Sequence, residues 1–174
     1  MWRLILLVVS IAYLSGCASA PSKKDTFLSN YKTMYVRPID FKNIQLERFT
    51  EDEQKEFHEK APEFEKAFMQ GVARGIGKND YFDSFLATAK PCNGTDTIVL
   101  EPRIVAVNTG VRMVLKGSIT YEGTLKTCDG KVVGKYSAIW LRDRLIYSTV
   151  MGTVEKMFKD IGMEAGYKMF MAKP

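Results

Sequence analysis

Residues 119–140 read ITYEGTLKTCDGKVVGKYSAIW, and the fold turns on how this stretch is read. Asp129-Gly130, held between Cys128 and Lys131, is the two-residue signal of a type I′ hairpin turn. A two-residue loop fixes the register, opposing Ile119 to Trp140, Tyr121 to Ala138, Gly123 to Tyr136 and Leu125 to Gly134. On that face each glycine meets a large neighbour. On the other face Thr120, Glu122 and Thr124 oppose Ile139, Ser137 and Lys135. Large against small on one side and mostly polar against polar on the other is the pattern cross-strand packing favours.

Upstream, Thr97 to Val107 is a β run with Ile98, Leu100, Ile104 and Ala106 on one face and Val99, Glu101, Arg103 and Val105 on the other. Asn108-Thr109-Gly110 reads as a turn. From Val111 the chain alternates again, with Val111, Met113, Leu115, Ile119, Tyr121 and Leu125 on the core face. The result is an antiparallel three-stranded meander over 97–107, 111–127 and 131–142.

Before the meander, Tyr31 to Ile39 is rich in β-formers and is stopped by Pro38, which lacks a ladder donor; it is the N-terminal strand. A loop from Asp40 to Phe49 follows. Thr50 with Glu53 three residues on has capping-box spacing, so a helix starts there. Pro62 removes one helical hydrogen bond and predicts a kink or a split into two helices. Beyond it Phe64, Phe68, Val72 and Ile76 form an apolar stripe flanked by Ala67, Gly71 and Gly75. Gly77 ends this helix near Asn79-Asp80, and Tyr81 to Leu86 is a short edge strand. Val154, Met157, Phe158, Ile161 and Ala165 give a terminal helix its buried face. The fold class is mixed α/β: a sheet made of the meander and the N-terminal strand, with two main helices packed on one of its faces.

The N-terminus carries a different message. Arg3, an apolar run from Leu4 to Leu14 and then Ser15-Gly16 have the layout of a secretory signal rather than a membrane span. Leu14-Ser15-Gly16-Cys17 resembles the lipobox of bacterial lipoproteins, in which the signal is cut before the cysteine and the cysteine is acylated. The resemblance implies that residues 1–16 are removed and that Cys17 anchors the chain to a membrane. In the enterobacterial members an Asp after that cysteine marks inner-membrane retention; Ala18 stands here, which favours the outer membrane, facing the periplasm. Ala18 to about Ser29, with Pro21 and Lys23-Lys24, reads as the rest of a lipidated tether over 17–29, leaving 30–174 as a single periplasmic domain.

Of 174 residues, 158 remain after such cleavage, a common size for one domain. Of the 25 Lys and Arg only Arg3 is lost, against 20 Asp and Glu, so the charge falls from +5 to about +4. That excess suits anionic lipid head groups or a cell-wall polymer, although a scattered excess of this size is more often just a solvated surface, and a nucleic-acid partner is not expected in that compartment. Two of the three cysteines, Cys92 and Cys128, remain for an oxidising compartment, where they are expected to pair. A turn at Asn108-Thr109-Gly110 would set Cys92 opposite positions 126–128 on the neighbouring strand, so the ladder itself is expected to bring the sulfurs together.

Catalytic and metal patterns are missing from the sequence. The single histidine, His58, has no ligand-spaced partner, no serine sits in a Gly-x-Ser-x-Gly elbow, and Glu63 and Glu65 point to different sides of one helix. No metal or cofactor is expected. Arg142-Asp143-Arg144 reads as a solvated turn. Met151, Met157, Met163, Met169 and Met171 read as adaptable core filler, or as a pliable contact surface on the last helix. Gly71-xxx-Gly75 and Gly162-xxx-Gly166 read first as close approach of a helix to the sheet, and second as a subunit interface.

The lipobox, the tether, the strand Tyr31 to Ile39, the helix Phe64 to Ile76 running into Asn79-Asp80-Tyr81-Phe82, and the meander together resemble small periplasmic lipoproteins of the anticodon-binding-domain-like fold. Relatives of that kind include the curli secretion lipoprotein, activators of cell-wall synthases and a polysaccharide-export lipoprotein. The long insertions that build pore strands in the curli protein are absent. The resemblance implies a non-enzymatic binding or adaptor module in envelope assembly, attached to the membrane through Cys17 and working on a protein partner. The alternative is a homo-oligomeric ring component of an export or secretion system, and the third reading is a hydrolase whose site the fold assembles.

Overall fold

A computed structural model describes residues 26–78, 82–111, 115–142 and 149–172. The elements in chain order are β1 (Thr33–Val36), β2 (Gln45–Glu47), α1 (Glu51–Glu59), α2 (Ala61–Gly77), β3 (Ser84–Ala87), β4 (Thr97–Asn108), β5 (Gly117–Thr127), β6 (Val132–Arg142) and α3 (Val150–Lys168). They form a mixed sheet in the order β3-β1-β4-β5-β6, with β2 also pairing on β4. The pairs β1–β3, β1–β4 and β2–β4 are parallel, whereas β4–β5 and β5–β6 are antiparallel. The mixed α/β architecture expected from the sequence is the one observed.

Local chemistry accounts for the helical elements. Thr50 Oγ1 accepts from the N–H of Glu53, and Glu53 returns a carboxylate to the N–H of Thr50 at 2.9 Å, so the capping box is closed. Pro62 splits the helix: α1 stops at Glu59 and α2 restarts at Ala61, with the proline in its first turn where a missing N–H costs nothing. α2 ends at Gly77, as its pattern requires, and the short strand after it is the edge strand β3, at residues 84–87.

The core lies between the sheet and the helices. Phe64 stacks on Phe158 at 5.2 Å between centroids and touches Phe57 at the same distance, while Phe68 lies 5.9 Å from Tyr121 of β5. Phe57, Phe68, Val154, Met157, Phe158 and Ile161 are all fully buried. Met151 and Met169 are nearly so and Met171 is half exposed, so the methionines of the last helix act largely as filler.

The two GxxxG pairs meet each other. A Cβ on Gly71 would fall 2.1 Å from the carbonyl oxygen of Lys159, and one on Gly162 would fall 2.2 Å from that of Phe68. Gly75 and Gly166 repeat the contact one turn on, against Met163 and Val72, so the helices run parallel with their backbones in contact. This corrects both expectations for these glycines. They serve neither helix-on-sheet packing nor a subunit interface but a helix-on-helix seam within the chain, the close approach that small residues four apart permit.

Further details depart from the sequence reading. The Asp129-Gly130 turn is a three-residue loop: Gly130 N–H bonds to Thr127 C=O and Thr127 N–H to Lys131 C=O, both at 2.9 Å, with Gly130 at φ +88°. A bulge at Val133 then adds one residue to β6, so the predicted pairing of Leu125 with Gly134, Gly123 with Tyr136, Tyr121 with Ala138 and Ile119 with Trp140 is recovered. The glycines are covered otherwise than expected. The hydroxyl of Tyr121 lies over Gly123, and Ala172 with Phe27 lies over Gly134.

Next, Asn108-Thr109-Gly110 is not the turn. Val111 and Leu115 exchange backbone hydrogen bonds at 3.0 and 2.9 Å, so the two strands are still paired past Gly110. The ladder therefore opposes Ile98 to Thr127 and Leu100 to Leu125, several residues away from the register expected. Because the pairing is broken around Thr109-Gly110 and Lys116, Val111 and Leu115 fall out of phase with the core and are 40% and 46% exposed. A shift between Ile104 and Ala106 likewise turns Val107, rather than Ala106, into the core.

The loop Asp40 to Phe49 also contains a strand, β2. β1 pairs with Thr97–Leu100 and β2 with Ala106–Asn108, leaving a gap along one side of β4 where Pro102 sits. A proline there forfeits no ladder bond on that side. Finally, the expected tether is packed before its end. Phe27–Asn30 forms a 3-10 turn capped by Thr26, and Leu28 is fully buried.

Candidate functional site

Among the described residues the helices α1, α2 and α3 lie on one side of the sheet, and the opposite side of β4, β5 and β6 is where unspent chemistry collects. Two rows of ion pairs cross it: Lys126 to Glu101 at 2.6 Å and Arg103 to Glu122 at 3.1 Å, each joining β5 to β4. Both pairs are substantially exposed, so each adds little to stability. Beside them a shallow depression of about 440 Å³ runs over Gly123 between Arg103, Glu122 and Lys135. A second of about 430 Å³ occupies the gap between β1 and β2, against Pro38, Asp40, Asn43 and Pro102, and shares Arg103 and Thr124 with the first.

The carboxylate in that gap is committed to its own turn. Asp40 accepts from the N–H of Lys42 at 2.9 Å and from Asn43 Nδ2 at 2.7 Å, and these bonds, the backbone one foremost, hold its pKa below the usual carboxylate value. Glu65 is similarly committed: its Oε1 accepts from the N–H of Ile39 at 2.9 Å, closing the chain after β1 against α2. Glu63 pairs instead with Lys60 at 3.6 Å. The two carboxylates therefore stay apart, as the helical spacing of their positions requires. His58 is exposed on α1, edge-on to Phe57.

On the helix side a polar chain threads from the core to the surface. Tyr121 is buried beneath Gly123, and burial pushes its phenol well above the ordinary value, with Tyr136 adding to the effect. Tyr136 donates to Glu164 at 3.5 Å, and Glu164 also takes Lys168 at 2.5 Å. Desolvation first, and then the Glu164 charge, raise Tyr136 to about 12. Arg142, expected in a solvated turn, reaches from β6 to Asp160 of α3 and ties the edge strand to the helix; Asp143 and Arg144 lie outside the described residues.

Cys92 and Cys128 form a disulfide with Cα atoms 5.1 Å apart, but not for the reason the register suggested. In the observed ladder Thr127 opposes Ile98, and the sulfur of Cys128 lies 3.8 Å from the carbonyl oxygen of Thr97. Cys92 therefore reaches its partner from the loop before β4, which turns at Gly94 (φ +109°), rather than from within the ladder. Arg37 fastens the start of that loop by donating to the carbonyls of Thr88, at 3.0 Å, and Lys90. The bond pins the loop after β3 to the tip of the β5–β6 hairpin.

The remaining site residues read from the sequence, Leu14, Ser15, Gly16 and Cys17, lie outside the described residues. No helix among the described residues is long and apolar enough to cross a membrane. The sequence reading also missed the edge of β6. Ile139 and Leu141 stand on its outward face at 67% and 59% exposure, the two most exposed large apolar side chains of the described residues. Their signal was present in the predicted register, which had already set Ile139 opposite Thr120 on the polar face.

No family model matches the chain, and no curated protein does. Solved structures with a similar arrangement are small bacterial proteins. PelC from Paraburkholderia phytofirmans, solved as a dodecamer, is 13% identical with TM-score 0.42 over 77% of this chain and 87% of that one. A protein of the DUF330 family from Xanthomonas campestris is 9% identical with TM-score 0.48, over 81% of this chain and 84% of that one.

Proposed function

We propose that this protein is a lipid-anchored envelope lipoprotein whose domain is a non-catalytic binding or adaptor module, held at the outer membrane through Cys17 and facing the periplasm. The observation that carries the reading is the division of labour among the three cysteines. Cys17 closes a lipobox-like Leu14-Ser15-Gly16-Cys17 after an apolar run, and Cys92 and Cys128 are bonded, as suits a chain that matures in an oxidising compartment. Exposed ion pairs and shallow depressions on the bare face suit recognition of another surface rather than enclosure of a small substrate. The test is metabolic labelling with palmitate, together with membrane fractionation. Wild-type protein is expected to carry label and to sediment with outer membranes, while Cys17→Ala accumulates as unlabelled precursor. Label retained by Cys17→Ala, or an unmodified mature N-terminus beyond residue 17, overturns the anchor.

A further inference from the structure

We propose that the C-terminal half of β6, Ser137 to Leu141, is a docking edge for an extended segment of a partner protein, one with aliphatic residues at alternate positions and a carboxylate toward Lys135. This deepens the adaptor reading and rests on it.

β6 ends the sheet, and among the described residues no strand pairs with its second edge. An edge strand offers unpaired N–H and C=O groups, and proteins commonly blunt such edges with bulges and lysines. β6 is guarded in this way over its first half only. The bulge at Val133 and the exposed Lys131 and Lys135 all fall before Ser137. From Ser137 onward the outward side chains are Ser137, Ile139 and Leu141, with no proline and no charge, and the two aliphatics are well over half exposed. The opposite edge, β3, is four residues long, so β6 is the edge with room for an added strand.

Charge selects the occupant. Residues 131–142 contain Lys131, Lys135 and Arg142 and no carboxylate. Arg142 is spent on Asp160 of α3, which leaves Lys131 and Lys135 to bias one end of the edge. A second copy would bring the same acid-free strand against itself. An incoming strand with alternate aliphatics over Ile139 and Leu141 and an acidic end over Lys135 matches both features, through the strand-addition mode in which backbone bonds give affinity and alternate side chains give specificity.

The experiment uses the full-length protein in detergent micelles and three capped peptides of alternating valine and threonine: one ending in two glutamates, one ending in two lysines, and the acidic one N-methylated at alternate amides. The acidic peptide is expected to bind at least tenfold tighter than the lysine peptide, and N-methylation and Ile139→Lys are each expected to abolish binding. Leu141→Ser, milder and also well over half exposed, is expected to weaken binding severalfold with unchanged thermal unfolding, which guards against a fold defect in the lysine variant. Equal binding of the acidic and lysine peptides, indifference to N-methylation, or no binding by any peptide overturns the proposal. So does a wild-type dimer that Ile139→Lys dissolves, which would give the edge to a second copy. If Ile139→Lys still co-purifies from native membranes with the same partner as wild type, the adaptor reading stands and this edge is not its site.

Discussion

The two faces of the strands β4 to β6 are built from alternate residues of the same chain, yet they obey different rules. Toward the helices, Ile98, Leu100, Tyr121 and Leu125 are at most 3% exposed and pack against α2 and α3, whose backbones touch through four glycines. Away from them stand Glu101, Arg103, Glu122 and Lys126, with Ile139 and Leu141 uncovered at the edge. The covered side has no slack at its helix seam, where a Cβ on any of the four glycines would meet a backbone. The other is held by exposed charge pairs and one covalent pin at its end. Stability is concentrated where packing is dense, and the exposed ion pairs of the other face contribute little to it.

The largest effect expected from testing this contrast is at Phe68, fully buried between the helices and Tyr121: Phe68→Ala should cost about 3 to 5 kcal/mol in denaturant unfolding. Next comes the pin. Reducing Cys92–Cys128 frees a segment of 36 residues and should cost about 2 to 4 kcal/mol by the loop-entropy argument, read as a lower Tm under reductant; wild type unfolded without reductant should take up no thiol label at either cysteine.

The glycine seam gives a paired test. Gly162→Ala places a methyl 2.2 Å from the Phe68 carbonyl oxygen and should cost about 3 kcal/mol, the upper end for overpacking. Gly77→Ala, two residues past the last seam glycine of α2 and with nothing within 4 Å, should be neutral or should stabilise by up to about 1 kcal/mol. Equal effects at both positions would remove the seam.

Alkaline titration probes the covered face alone. Tyr136 and Tyr121 are held neutral by the fold, with folded pKa values above the ordinary one near 10. The unfolded chain therefore loses these protons first. The stability these two phenols contribute should be constant below about pH 10 and fall as pH rises toward about 12, and Tyr136→Phe should flatten part of that fall. The smallest effect is expected on the bare face, where Arg103→Ala should change stability by no more than about 0.5 kcal/mol.

Most features set by short-range chemistry were legible in the order of residues. The capping box at Thr50 and Glu53, the break at Pro62, the end of α2 at Gly77 and the period-2 faces of β5 and β6 depend on residues within a few positions of one another, so local rules suffice. Tertiary structure alone decided whatever a single inserted residue can shift. Side-chain direction alternates with every residue along a strand, so the bulge at Val133 and the shift after Ile104 move register or face with no local signal. The same holds for the partner of each GxxxG pair: spacing shows that a helix face is smooth, but the partner is chosen across some ninety residues of chain, and here it was the other glycine pair. The disulfide shows both sides at once. Composition and the compartment expected from it foretold that Cys92 and Cys128 would pair, while the path by which they meet, a loop turning at Gly94 rather than a ladder, depended on the β4–β5 register.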